Sequence, residues 1–231
     1  MGSIANNLQE VKLRMDAACG SAGRDANSVT LLAVSKTFGA EAVREAAAAG
    51  QHAFGENHVQ EALAKIEALA DWRQQLQWHL IGPLQSNKTR PVAEAFDWVH
   101  SVDRLKIAQR LAEQRPPGLP PLNICLQVNI SGESSKSGLL AAEVAAVAQA
   151  VTALPRDRLV LRGLMAIPAP AGDFASQRAA HHALRELLVA LNAAGLGLDT
   201  LSMGMSADLE AAVAEGATIV RVGSAVFGSR G

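Results

Sequence analysis

The sequence contains no tyrosine, and phenylalanine and tryptophan together make up 3% of it. Chemistry that needs a phenol as acid or base is closed to one chain of this protein. Its two cysteines, Cys19 and Cys125, match no metal or redox spacing, which fits a reducing compartment. No apolar run reaches the ~18 residues that a membrane span requires, and the N-terminus lacks the apolar core of a signal peptide. Met1-Gly2 opens like a myristoylation signal, but Asn6 stands where serine or threonine is needed. Charge of one sign is also missing: 21 Lys and Arg against 22 Asp and Glu leave a net charge of -1. There is neither a basic surface for nucleic acid nor an acidic tail. No His, Cys or carboxylate spacing suggests a metal site. These absences predict a cytoplasmic protein with no nucleic-acid or membrane partner.

What is present is a well-cored chain, 49% hydrophobic, with a regular rhythm. A leading helix over residues 4–19 carries its apolar stripe at Ile4, Leu8, Val11, Met15 and Ala18. Strands are then predicted at 30–35, 53–55, 77–82, 96–102, 122–129, within 159–167, up to about 202, and at 218–222. Helical stripes fill the intervals, among them Val59, Ala62, Leu63 and Ile66, and later Leu184, Leu187, Leu188 and Leu191. Asp103 is the expected cap of one helix, and another is expected to open at Ser206. The fifth strand reads as strict alternation, with Leu122, Ile124, Leu126 and Val128 on one side. Pro116 to Pro121 reads as a long loop rather than a linker.

Repeated strand-then-helix alternation implies parallel strands with helical crossovers. Eight such units in a chain near the ~250 residues typical of the fold predict one α/β domain over 1–231, a single (β/α)8 TIM-type barrel. An open doubly wound sheet is the alternative. The last helix is nearly absent from the sequence, and the leading helix is expected to cover its place.

In such a barrel, function collects at the C-terminal ends of the strands. The first strand, Leu31-Leu32-Ala33-Val34-Ser35, runs straight into Lys36. A lysine there would point into the cavity the strands surround, where desolvation favours a nucleophilic amine. The plainer alternative is a strand-end lysine that snorkels to water. The loops after strands seven and eight are Leu201 to Asp208 and Arg221 to Gly228. Ser206, Gly223 and Ser224 suit an anion, through a helix N-terminus, close backbone approach and a hydroxyl; Gly204 and Gly223 equally suit plain tight turns. With no Walker A lysine and no Gly-x-Gly-x-x-Gly, a compact phosphate ester is expected rather than a nucleotide. A reactive lysine opposite a phosphate cup suits a phosphorylated aldehyde, and pyridoxal 5'-phosphate (PLP) is such a molecule. Arg221 beside its ring nitrogen could not accept a proton, so it would weaken the ring as an electron sink.

Several long motifs resemble the pyridoxal-phosphate homeostasis proteins: Ala33 to Thr37, Phe54 to Glu61, Trp78 to Lys88, Val128-Asn129 with Glu133, Lys136 and Gly138, Gly163 to Met165, Leu201 to Ser206, and Arg221 to Gly228. The resemblance covers nearly the whole chain and implies the barrel of alanine racemases, a fold-type III PLP protein, without their second domain. It implies Lys36 as the Schiff-base lysine, Arg221 at the pyridine nitrogen, and Ser206, Gly223 and Ser224 around the phosphate. Ser202, Asn57 and His79 are further candidate cofactor contacts, with helix capping the alternative for Asn57 and a core position the alternative for His79. Lys136, in the loop Ser131 to Ser135 and beyond, is a candidate second aldehyde acceptor or a solvated lysine; His181 and His182 have no assigned role. The chain departs from the family's usual pattern at His58 and Leu80. PLP is the expected ligand, other B6 vitamers and PLP-dependent apo-enzymes are the candidate partners, and a monomer is expected.

Three function classes fit a reactive lysine on this barrel. A carrier or homeostasis protein binds PLP without turnover. A racemase needs acids or bases on both faces of the substrate carbon, and this chain has no tyrosine for the second. A Schiff-base aldolase would use Lys36 on a sugar phosphate directly. The carrier is the favoured expectation.

Overall fold

The structure is a computed structural model that describes residues 2–133 and 136–228. Met1, Ser134, Ser135 and residues 229–231 lie outside the described residues. The strands β1 (Thr30–Val34), β2 (Ala53–Glu56), β3 (Gln77–Leu80), β4 (Trp98–Val102), β5 (Leu122–Gln127), β6 (Leu159–Met165), β7 (Thr200–Ser202) and β8 (Ile219–Val222) follow one another around a closed parallel barrel. Closure is made by β8 against β1, with Leu32 beside Arg221 and Ala33 beside Val222. This is the (β/α)8 barrel that the rhythm of the sequence implies, and the closed sheet rules out the open doubly wound alternative.

The helices are α1 (Ile4–Ser21), α2 (Ala40–Ala48), α3 (Val59–Ala68), α4 (Thr89–Ala95), α5 (Leu105–Gln114), α6 (Ala141–Thr152), α7 (Phe174–Ala193), α8 (Leu209–Ala214) and the single turn α9 (Ser224–Phe227). Ser3 caps α1 through its Oγ, which accepts the Asn6 N–H at 3.3 Å. The stripe Leu8, Val11, Met15, Ala18 and Cys19 is buried. Because α9 is only one turn long, α1 lies over that sector of the barrel. Asn7 Nδ2 donates to the Val226 carbonyl at 2.9 Å, and Arg14 pairs with Glu210 of α8 at 2.6 Å. The leading helix thus covers the sector where, among the described residues, β8 is followed only by the single turn α9.

Most of the core lies between strands and helices, with Trp78, Phe54 and Phe96 its largest fully buried side chains. A separate small cluster, Leu32, Ala53 and Ile219 with Ile81 and Trp98 against it, forms the other core group. Beside it in the sheet the barrel carries buried polar groups, His79, His100, Ser202 and Arg221, with Arg221 paired to Leu32, Ser202 to Ile219 and His79 to Trp98.

Two helix starts differ from the sequence reading. Arg104, not Asp103, occupies the cap position of α5, because Asp103 forms an ion pair with Arg104 instead. Likewise α8 begins at Leu209 behind Asp208, so Ser206 stays in the loop. The alternation expected for β5 holds: Leu122, Ile124, Leu126 and Val128 all join the main core cluster, while Cys125, buried as well, does not. The register between β5 and β6 shifts between Ile124 and Cys125, and a barrel strand has helices outside and packed side chains inside.

Candidate functional site

At the C-terminal mouth of the barrel lies a cavity of about 380 Å³. Lys36, Asn57, Ser206, Arg221, Gly223 and Ser224 line it, together with the apolar Val34, Phe38, Ile81, Ile167 and Met205. Six of the eight residues singled out from the sequence thus meet around one small space, contributed by the ends of β1, β2, β7 and β8. That is where strand ends converge in a barrel, and the volume suits a single small ligand.

Each wall has a local cause. Phe38 stacks on Phe227 with ring centroids 5.1 Å apart, which ties the loop after β1 to α9. Asn57 follows β2, and its Oδ1 is buried without a hydrogen-bond partner. A buried amide oxygen in a cavity wall is an acceptor left open for a ligand. The backbone of Asn57 sits where it does because residue 82 is glycine: a Cβ there would stand 2.1 Å from the Asn57 carbonyl oxygen. Gly204 turns the chain after β7 at φ +91°. The loop that follows is closed by Asp208, whose Oδ1 accepts the Met205 N–H at 2.7 Å. Asp208 Oδ2 lies 3.0 Å from Nε2 of buried His181, so a helix histidine without an assigned role supports the loop carrying Ser206. Although burial opposes it, bonding from His181 and the Met205 N–H holds the Asp208 carboxyl below the usual carboxylate range. Gly223 precedes α9, whose first N–H groups have no partner within the helix.

Arg221 comes from β8 and is almost wholly buried. Nη1 donates to Ser202 Oγ and Nη2 to the Ala166 carbonyl, both at 2.9 Å, which fixes the guanidinium plane. Burial pulls its pKa down to about 10, against the neighbouring Asp208 and Cys125, so the group is still a cation and donor at neutral pH.

His79 takes the buried core position that is its alternative reading, and Ser202 is buried as well. Neither is in the cavity wall; both sit beneath it, behind Arg221. Ser202 Oγ lies 2.7 Å from His100 Nδ1, and His100 Nε2 lies 2.9 Å from His79 Nδ1. His79 stacks on Trp98 at 5.4 Å with the rings 4° from parallel. Since Arg221 can only donate, the arrangement that pairs the Ser202 hydroxyl proton sends it to His100 Nδ1. His100 Nε2–H then donates to His79, leaving His79 Nε2 as the buried, unpartnered end of the row. Burial drives the pKa of His79 down to about 3, and burial with His79 and Arg221 nearby drives that of His100 well down too. Both are neutral rings at physiological pH.

His100 was missed because one histidine on a predicted strand carries no signal alone; the available clue was its pairing with His79 on the adjacent strand. Also missed were Glu56, Glu61 and Lys65. The expected stripe of α3 packs on the core, with Leu63 and Ile66 half-buried, and Lys65 is buried beside it with its ammonium on Glu56 and Glu61 at 2.8 and 3.0 Å. Burial pushes the Glu56 carboxyl up, against hydrogen bonds from Lys65 and Ser35 that pull it down. Lys136 is not among the lining residues. No described helix is long and apolar enough to cross a membrane.

The arrangement offers one primary amine, one fixed guanidinium, two hydroxyls with adjoining backbone N–H groups, and an open amide acceptor. Those groups fit PLP: an amine for its aldehyde, donors for its phosphate and ring nitrogen, and Asn57 at its edge.

Comparison with known proteins agrees with this architecture. Residues 3–231 match the family model described as alanine racemase, N-terminal domain. A protein named pyridoxal phosphate homeostasis protein from Pseudomonas aeruginosa is 64% identical over 100% of this chain and 97% of its own. Its Escherichia coli namesake is 52% identical over 100% and 98%. The structure of PipY from Synechococcus elongatus with PLP bound superposes with a TM-score of 0.84 at 41% identity, covering 97% of this chain and 100% of that one. On sequence and fold together, the chain belongs to the pyridoxal phosphate homeostasis proteins, within the alanine racemase N-terminal-domain family.

Proposed function

We propose that this chain binds PLP on Lys36 and serves intracellular PLP homeostasis in the cytoplasm without catalytic turnover. The observation that carries the reading is the meeting of Lys36, Arg221, Ser206, Gly223 and Ser224 around one cavity of about 380 Å³. PLP, when bound, supplies an aldehyde that condenses with a primary amine to a Schiff base with loss of one water. Lys36 provides that amine. Ser206, Ser224 and the N–H groups beside Gly223 hold the phosphate. Asn57 contacts the ring substituents. Arg221 faces the ring nitrogen as a donor and leaves it unprotonated. Ser202 acts through Arg221, and His79 acts one step further, through His100. The names of the relatives and the PLP in the PipY structure support the ligand.

The cavity's side chains favour binding without turnover. Among the described residues lining the cavity there is one amine, Lys36, and no histidine, carboxylate or thiol beside it. Racemisation needs a second acid or base on the opposite face. Exchange of PLP, and of other phosphorylated B6 vitamers, with the surroundings or with apo-enzymes needs none.

Titration of the purified protein with PLP tests both halves. A saturable visible band is expected, absent in Lys36→Ala. With α-deuterated L-alanine, the loaded protein is expected to release deuterium no faster than free PLP. A protein that takes up no PLP would contradict the ligand, and catalytic deuterium loss would establish the racemase alternative.

A further inference from the structure

The turn that carries Lys36 is gripped from below by a set of charges that takes no part in the cavity. Glu56, fully buried at the end of β2, accepts from Ser35 Oγ at 2.6 Å and from Lys65 Nζ at 2.8 Å, both on Oε1. Lys65 also donates to the Ser35 carbonyl at 2.8 Å and pairs with Glu61 Oε1 at 3.0 Å. Glu61 Oε1 in turn accepts the Thr37 N–H at 2.6 Å. Both neighbours of Lys36 are therefore held: residue 35 by its carbonyl and hydroxyl, residue 37 by its N–H.

Two costs converge on this spot. Burying an ammonium is unfavourable unless its protons are matched, and Lys65 finds three acceptors here, one carbonyl and two carboxylates. Thr37 stands at φ +70°, the one non-glycine with positive φ among the described residues. A β-branched residue in that region is strained and persists only where its surroundings hold it. A barrel needs neither feature to close. Both are accounted for if the position of the amine on residue 36 is what they secure.

We propose that Glu56, Lys65 and Glu61 are positioning residues for Lys36, fixing the backbone on either side so that its amine meets the aldehyde of the bound ligand. This rests on the reading of Lys36 as the PLP lysine. Lys65 spans the clamp, Glu61 holds the strained Thr37 N–H, and Glu56 anchors Lys65 and Ser35 to β2. With the backbone fixed, only the lysine's own torsions remain to be ordered for attack, which is where rate is gained by orientation.

The test separates capture from plain binding. Pyridoxine 5'-phosphate keeps the ring and phosphate but carries an alcohol in place of the aldehyde, so it reports the cup alone. Glu61 is partly exposed, so Glu61→Ala and Glu61→Gln are suited to leave the barrel folded, which thermal melting checks. Expected for Glu61→Ala is covalent capture of PLP at Lys36, trapped with borohydride, slowed about tenfold, while pyridoxine 5'-phosphate affinity changes less than about twofold. Glu61→Gln keeps an oxygen for the Thr37 N–H and is expected to capture near the wild-type rate. Capture by Glu61→Ala at the wild-type rate, parallel loss of both ligands, or equal loss in both variants would overturn the proposal. A wild-type protein that forms no adduct at Lys36 would instead overturn the PLP reading itself.

Discussion

Arg221 has its guanidinium fixed by two protein acceptors before any ligand arrives, and one of them, Ser202, links it to the two buried histidines. Ser202→Ala removes the side-chain partner of both Arg221 Nη1 and His100 Nδ1. Loss of a buried hydrogen bond with both ends stranded costs about 1–3 kcal/mol, measurable by urea unfolding of the two proteins at the same pH. An unchanged midpoint would show that the row does not hold Arg221. The two sequence candidates absent from the cavity wall, His79 and Ser202, belong to this row. Residue type and strand position pointed them toward the barrel axis, but how deep along that axis each lies depends on the stagger between strands, which a single sequence does not disclose.

Among the elements, the loops after β2 and β3 are locked together at Gly82. A methyl group at that position would meet backbone, 2.1 Å from the Asn57 carbonyl, so no side-chain rotation relieves it. Gly82→Ala is expected to lower stability by about 3 kcal/mol or more and to weaken PLP binding by moving Asn57; melting and ligand titration read the two effects. Around α1 the same scale separates packing from charge. Leu8 is buried in the main core, and Leu8→Ala is expected to cost about 2–5 kcal/mol. The half-exposed Arg14–Glu210 pair gives less than about 1 kcal/mol on Arg14→Ala, and a reversed order in chemical unfolding would contradict the role of α1 as the cover of the barrel. The order of strands and helices was legible because apolar runs and helical stripes alternate so regularly. Element edges were less so: Asp103 and Ser206 have the chemistry of caps, yet Arg104 draws the first into an ion pair, and Asp208 takes over the loop from the second. The Glu56–Lys65 contact was hidden for a different reason, since a lysine on an apolar stripe reads as an interruption until its carboxylate is found on another element.

For the whole molecule, the buried polar row makes folding depend on pH in a defined direction. His79 titrates at about 3 in the folded chain because burial disfavours its charged form, and His100 is also pulled well down. Unfolded histidines titrate near ~6.5, so the unfolded state binds more protons as pH falls through that value. Stability from His79 is complete above the unfolded pKa and is lost below it, by about 1.4 kcal/mol per pH unit, and His100 acts in the same direction. Between pH 7 and pH 5 His79 is expected to cost about 2 kcal/mol, a share of the dependence that His79→Gln is expected to remove. Urea unfolding at the two pH values measures it, and a pH-independent midpoint would contradict the buried, neutral state of these rings.

The proposed role of Lys36 is to hold PLP covalently within this barrel. The most direct measurement is borohydride reduction of the PLP-loaded protein, followed by peptide mass mapping. Loss of the visible band and a reduced pyridoxyl group on the peptide containing Lys36 are expected, with none in Lys36→Ala. A label on another lysine, Lys136 included, or a visible band that survives reduction, would contradict it.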